Sequence, residues 1–208
     1  MLTRSAGRTA SKGRRGTRDL RAAILRAARR LHGAHGSDGV TARAVAQAVG
    51  VSPTALYLHF RSIDDLLDQL RMEGHERLAG YLRAAEGPTA AERIRAMGRA
   101  YHRFGIENPG AFDLMFHARG STPHRRAAVQ REMFTLLLLR DVVVAGELRR
   151  DLDPMVVTNA LWAEIHGVTS LTIAGLLVET AAGHADAVLD AVLDGAVRWL
   201  APAGARTR

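Results

Sequence analysis

The chain contains no cysteine. Disulfides, thiolate nucleophiles and cysteine-based metal sites are therefore excluded, and a reducing compartment fits. No apolar run approaches the roughly 18 residues of a membrane span, and the N-terminus lacks the apolar core of a signal peptide. A soluble, cytoplasmic protein with no membrane partner is expected. A glycine-rich phosphate loop and a Gly-x-Ser-x-Gly turn are also missing. His75-Glu76 begins like a zinc-protease motif, but Ala79 stands where the second histidine is needed. Carboxylates are scattered among arginines, and no pair is set apart by an apolar stretch. The spacing of His32 and His35 could in principle chelate a metal, but two histidines at a helix end read as polar surface. No enzymatic activity, metal or cofactor is expected.

Acidic residues are scarce at one end. Residues 1–35 hold ten basic side chains against Asp19 alone, a net +9, so the rest of the +8 chain totals −1. Excess positive charge confined to an arm and a first helix is the electrostatic footprint of a polyanion contact. Lysine is nearly absent, so the charge is carried by arginine. Residues 1–16 are rich in Gly, Ser, Thr, Arg and Ala without hydrophobic periodicity, and form a basic arm expected to be disordered when free.

What is present begins with helix 1, expected over about 18–34. Leu20, Ala23, Ile24, Ala27, Ala28 and Leu31 fall at helical spacing, with arginines interleaved to face phosphates. Thr41–Phe60 then reads as two short helices around a tight turn. Thr41 is an N-cap, and Ala42, Val45, Ala46 and Val49 form one small apolar face. Gly50 takes the left-handed position. Ser52 is the next N-cap and Pro53 the first helical residue. The second helix, Ser52–Phe60, would be roughly 13 Å long, short enough for one major groove. This is a helix-turn-helix with its recognition helix at 52–60.

The run Val-Thr-Ala-Arg-Ala-Val-Ala, then Gly50-Val51-Ser52, Ala55-Leu56-Tyr57-Leu58-His59-Phe60 and Asp64-Asp65-Leu66-Leu67 closely resembles the TetR family of bacterial repressors. The resemblance runs from helix 1 to the start of helix 4. It departs at Ile63, where the family usually carries a lysine that touches a DNA phosphate. It implies that Thr41, Ser52, Tyr57 and His59 contact phosphates, while Pro53, Thr54, Ala55 and Leu58 face base edges. No Asn, Gln or Arg lies on that face, so readout should lean on thymine methyls and on Tyr57 and Thr54. Arg43, at the start of helix 2, is placed to supply a bidentate guanine contact.

Further along, capping chemistry sets the helix starts. Asn108-Pro109, Thr122-Pro123 and Asp153-Pro154 repeat the pattern of Ser52-Pro53, and Thr89 with Glu92 is a capping box. The expected helices are 62–85, 90–107, 109–118, 123–145, 154–179 and 185–200. The fold class is all-α, about nine helices. Residues 1–16 are the arm, 17–62 the helix-turn-helix domain, and 63–208 a larger helical-bundle domain for ligand binding and dimerisation. Helix 4 links the two.

Trp162 followed by His166-Gly167, with Asn108-Pro109, Phe112 and Leu114-Met115-Phe116, resembles a C-terminal class of these regulators named for Trp-His-Gly. The family resemblance implies a small-molecule cavity between helices 5 and 8. Met97, Tyr101, Phe104, Phe112, Met115, Phe116, Phe134 and Trp162 supply an apolar, polarizable lining. Tyr101 and His166 are the expected polar anchors, while Arg99 and Arg103 point elsewhere. An uncharged or weakly anionic aromatic or acyl inducer is expected. The two C-terminal helices should form a homodimer that reads a pseudo-palindrome in double-stranded DNA. A DNA-binding protein without a small-molecule ligand, acting structurally or through a protein partner, stays open. A densely filled second domain would mark it.

Overall fold

The structure, a computed structural model, describes residues 6–116, 136–146, 148–149, 151–177 and 184–200, with side chains from Asp19 onward except that of His184. Nine α-helices are found among the described residues: α1 (Ala6–His35), α2 (Ala42–Val49), α3 (Pro53–Tyr57), α4 (Ile63–Arg83), α5 (Ala90–Glu107), α6 (Pro109–Phe116), α7 (136–145), α8 (Pro154–Ile173) and α9 (His184–Leu200). None is long and apolar enough to cross a membrane.

The local signals act where the sequence places them. Thr41 Oγ1 accepts from the Ala44 amide at 3.2 Å, and Ser52 Oγ accepts from Ala55 at 3.2 Å. Ser62 caps α4 through the Asp65 amide. In the α5 capping box the Glu92 amide donates to Thr89 Oγ1, and the Thr89 amide donates back to Glu92. Asp153 accepts from Met155 ahead of α8. Asn108 behaves differently. Its carbonyl accepts from the Phe112 amide, but its side-chain amide donates to Phe104 O, and its side-chain oxygen accepts from Arg77. It closes α5 rather than capping α6 with its side chain.

Helix ends depart from the sequence reading in three places. First, α1 is helical from Ala6, well before 18. Alanine and arginine propagate a helix well, and no proline interrupts the chain before Pro53. Second, the recognition helix closes at Tyr57, because the Phe60 and His59 amides both return to Leu56 O. Third, α8 stops at Ile173 instead of running to 179. Gly175 has φ 65°, its amide donates to Thr172 O, and the Leu176 amide donates to Leu171 O. That is the same glycine-terminated stop seen at Gly50, which has φ 78°. Residues 117–135, which include Thr122-Pro123, Met133 and Phe134, lie outside the described residues.

Two apolar cores result. The first gathers Ile24, Ala27 and Ala28 of α1, Val45 of α2, Leu56 and Phe60 around α3, and Leu66, Leu67 and Leu70 of α4. The second holds Leu78 and Leu82 of α4 with the inner faces of α5, α6, α7, α8 and α9. Helix α4 therefore contributes one half to each. So does α6, in a shorter span: Leu114 enters the first core, while Phe112 and Met115 enter the second. Some α1 arginines are committed internally. Arg21 lies over the Phe60 ring and reaches Gln69, and Arg29 pairs with Glu73, so both tie α1 to its neighbours instead of facing outward freely.

Candidate nucleic-acid interface and regulatory cavity

Helix α3 is held by two side chains and presents most of the others. Leu56 and Phe60 are buried, at 0% and 2% exposure, so the remaining faces are turned outward. Ser52, Pro53 and Thr54 are exposed, as is Tyr57, and Leu58 reaches 81% exposure. Ala55 and His59 are half-buried, and Thr41 and Arg43 are exposed on the adjoining start of α2. All nine residues singled out for DNA lie on the adjoining α2 and α3 segments, and none of them is buried. The Thr41 and Ser52 hydroxyls spend a lone pair on capping, which leaves each O–H free to donate to a phosphate oxygen. An exposed Leu58 carries a cost in water, and a thymine methyl is a partner that would cover it. The sequence reading passed over Gln47 and Arg61, both exposed at this end. A basic residue directly after the recognition helix was the available signal for Arg61.

Within the second core, α4, α5, α6, α7, α8 and α9 line a largely apolar pocket that is partly open to solvent. Of the expected lining, Met97, Tyr101, Phe116 and Trp162 face it. Phe104, Phe112 and Met115 do not. Phe104 is fully buried edge-on to Tyr81, Phe112 stacks on the His166 ring, and Met115 fills the notch above Gly74, where a Cβ would come within 2.6 Å of its sulfur. Phe134 lies outside the described residues. His166 stands behind the lining, with its Nδ1 2.8 Å from Tyr101 Oη, which also accepts from Trp162 Nε1 at 3.3 Å. The two expected anchors thus bond to each other instead of facing the space independently. The larger omission was aliphatic: Leu78 and Leu82 on α4, Leu161 and Ile165 on α8, Leu193 and Ala196 on α9. His75 was also missed as a lining residue. It continues the spacing Arg71, His75, Leu78, Leu82, a buried stripe on α4.

The junction between the cores carries the buried polar groups. Arg71 donates from Nε to Leu114 O at 3.1 Å and from Nη1 to Asp68 at 2.7 Å, with both side chains largely buried. His32, read from sequence as polar surface, is buried at 4% exposure with Nε2 3.5 Å from Asp113. Leu114 draws α6 against α1, and the imidazole is covered as a consequence. Burial pushes its pKa below the usual 6.5. The Asp113 carboxylate opposes that shift and the Arg71 guanidinium adds to it. His102 is also pushed down, mainly by burial and against the pull of Asp186. Its Nδ1–H donates to Thr169 Oγ1 at 3.2 Å, because the Thr169 hydroxyl proton is committed to Ile165 O.

The pKa shifts fix the sign of a pH effect. A histidine whose pKa is depressed by folding favours the native state above its unfolded pKa, and that advantage is lost as the pH falls below 6.5, where the unfolded chain takes up protons first. The melting temperature should therefore drop between about pH 7 and about pH 5.5, within reach of the depressed histidines. His32→Gln should flatten part of that slope. An unchanged slope would mean that His32 is not buried in its neutral form.

Comparison with known proteins agrees with this architecture. The profile described as "Bacterial regulatory proteins, tetR family" matches residues 24–70, and "Tetracyclin repressor-like, C-terminal domain" matches residues 94–196. The chain belongs to the TetR family. A relative, the HTH-type transcriptional regulator Rv1816 of Mycobacterium tuberculosis, is 25% identical over 200 residues, covering 79% of this chain and 85% of that protein. A solved protein of unknown function from Rhodococcus sp. RHA1 is 28% identical with a TM-score of 0.74, covering 88% of this chain and 96% of that one. The transcriptional regulator FadR of Bacillus subtilis, solved with stearoyl-CoA, shares the fold at 16% identity and a TM-score of 0.71, covering 86% of this chain and 99% of that one. This TetR-family chain is a DNA-binding transcriptional regulator and not an enzyme. Its first profile match ends at Leu70, within α4 and just before the junction at Arg71.

Proposed function

We propose that the chain is a ligand-responsive repressor, acting as a cytoplasmic homodimer that leaves a pseudo-palindromic operator when a small hydrophobic molecule fills the cavity. The observation that carries the reading is on α6. Phe116 faces the cavity, and Leu114, two residues earlier, is built into the core that holds the recognition helix. A molecule that displaces Phe116 cannot leave Leu114 untouched, because eight residues of helix transmit a shift nearly rigidly. The ligand moves the equilibrium by its difference in affinity for the two placements of α6. The cavity counts against a protein that binds DNA without a small-molecule ligand.

In this reading Thr41, Ser52, Tyr57 and His59, with Arg61 added, hold phosphates. Arg43, Thr54 and Leu58, flanked by Pro53 and Ala55, read bases. The Trp-His-Gly subclass rests on Trp162, His166 and Gly167, which lie on one stretch of α8. The dimer uses the outer faces of α8 and α9. Val156 and Leu171 are exposed at 56% and 42%, and Ala187 and Ala191 leave a small-residue surface on α9 suited to close helix approach.

DNA binding is tested with the region upstream of the protein's own gene. Fluorescence anisotropy should give a strongly salt-dependent affinity for one dimer per site, and deleting residues 1–16 should flatten the salt slope without changing the preferred sequence. Apolar compounds that raise the melting temperature should also release the DNA. If compounds that stabilise the protein leave operator affinity unchanged, ligand response is ruled out and the DNA-binding role alone stands.

A further inference from the structure

Helix α6 has a second face, turned away from the cavity. Gly110, Asp113 and Leu114 fall three and four residues apart on it and meet α1 and α4. A Cβ at Gly110 would stand 3.6 Å from the Gly33 Cα of α1, so the two backbones run close there. Leu114 O, near the C-terminal end of α6, accepts from Arg71 Nε at 3.1 Å, and Asp68 holds Arg71 Nη1 at 2.7 Å. Into this three-helix contact α1 sends His32. Its side chain is 4% exposed, and Nε2 is buried 3.5 Å from Asp113 without a hydrogen bond among the described residues.

A proton on that ring meets opposed influences. Asp113 attracts the charge, but its side chain is 54% exposed and its pull is screened by water. Burial opposes the charge, and so does the Arg71 guanidinium, fixed in place by Asp68 and Leu114 O. Burial is the largest of the three, so the balance falls on the neutral ring. Elsewhere on the packed elements, Arg29 is paired with Glu73, and His75 of α4 lies against the Phe116 ring. Arg30, His35, Asp38 of the short turn Ser37–Gly39 and Arg43 of α2 are exposed.

We propose that His32 is a proton-operated latch between α1 and α6. The neutral ring lets Gly110, Asp113 and Leu114 close on the DNA-binding core, and the protonated ring opens that contact and lowers operator affinity. The proton is then an effector in its own right. This needs the DNA-binding role of the chain and no molecule in the cavity, so it stands or falls apart from the ligand response. The direction follows from linkage. The closed contact binds the proton more weakly than an open one, in which water reaches the ring. It is therefore favoured above about pH 6.5 and loses ground as the pH falls. One proton changes the affinity by at most about tenfold per pH unit.

Anisotropy with the upstream DNA, at fixed ionic strength and well below the melting temperature, reads the latch between about pH 7.5 and about pH 5.5. His59 at the DNA surface titrates in the same range, so the quantity to follow is wild type relative to His32→Gln. The two should bind alike at the upper pH, and wild type should fall behind about three- to tenfold at the lower. Parallel curves overturn the proposal. Asp113→Asn removes the one charge that favours the protonated ring, so it should deepen the loss, and a loss no deeper than that of wild type counts against the latch. Hydrogen exchange on the free wild-type protein, corrected for the intrinsic rate at each pH, needs neither DNA nor a substitution. Residues 109–116 should lose protection as the pH falls while residues 184–200 keep theirs. Equal loss in both segments would be global destabilisation, and no loss in either would be a closed junction. Each of those results overturns the latch.

Discussion

Leu114→Ala will unfold the DNA-binding end more readily than any substitution on its surface. The side chain is 4% exposed and is contributed by α6 to a core otherwise made by α1, α2, α3 and α4. Removing a buried leucine to the β-carbon costs about 2–4 kcal/mol, the lost burial plus the cavity left behind. The cost should not be spread evenly. Hydrogen exchange should quicken over residues 42–70 first, with α5, α8 and α9 protected until global unfolding. Operator affinity should fall with it, because the same residue holds α6 against the helix-turn-helix. If residues 42–70 keep their protection while α8 and α9 lose theirs, Leu114 belongs energetically to the second core, and the coupling proposed through α6 is lost.

Tyr57→Ala will have the opposite signature: a large loss of binding with almost none of stability. The ring is 49% exposed on α3, between buried Leu56 and exposed Leu58, so truncating it opens no cavity. The melting temperature should move little, as surface substitutions stay within about 0.5 kcal/mol. Operator affinity should fall about ten- to hundredfold, the usual cost of one specific DNA contact. Tyrosine carries no charge, so the slope of affinity against salt should keep its value while the whole line shifts down. A flattened slope would mean that the substitution displaced the helix and its cationic neighbours together. A mutant that unfolds would make Tyr57 a structural residue.

The two substitutions separate what was readable from sequence from what was not. That Tyr57 stands on an outward face could be read because its neighbours declare the helix locally: Ser52 and Pro53 start it, Gly50 closes the one before, and the period places Leu56 inward. Leu114 could not. Its neighbours Phe112, Met115 and Phe116 are as apolar as it is, and a helix with apolar residues on several faces does not say which face meets which core. The same ambiguity placed Phe104, Phe112 and Met115 on the cavity wall by residue type, where the packing has them filled in behind it. His75 was set aside because its motif failed, although its position on the buried stripe of α4 was visible.

Sequence by itself determined the starts of α2, α3, α4, α5 and α8, the glycine stop after α2 and the charge asymmetry. Each of these depends on contacts within about four residues, or on simple counting, and neither needs a third dimension. Gly175 carried the same information and was passed over in drawing α8 to 179. Tertiary structure alone decided that α6 serves both cores, that His32 is buried against Asp113, and that Tyr101 bonds to His166 across 65 residues. Those facts depend on which helices lie side by side, and helical periodicity reports that a face is apolar without naming its partner.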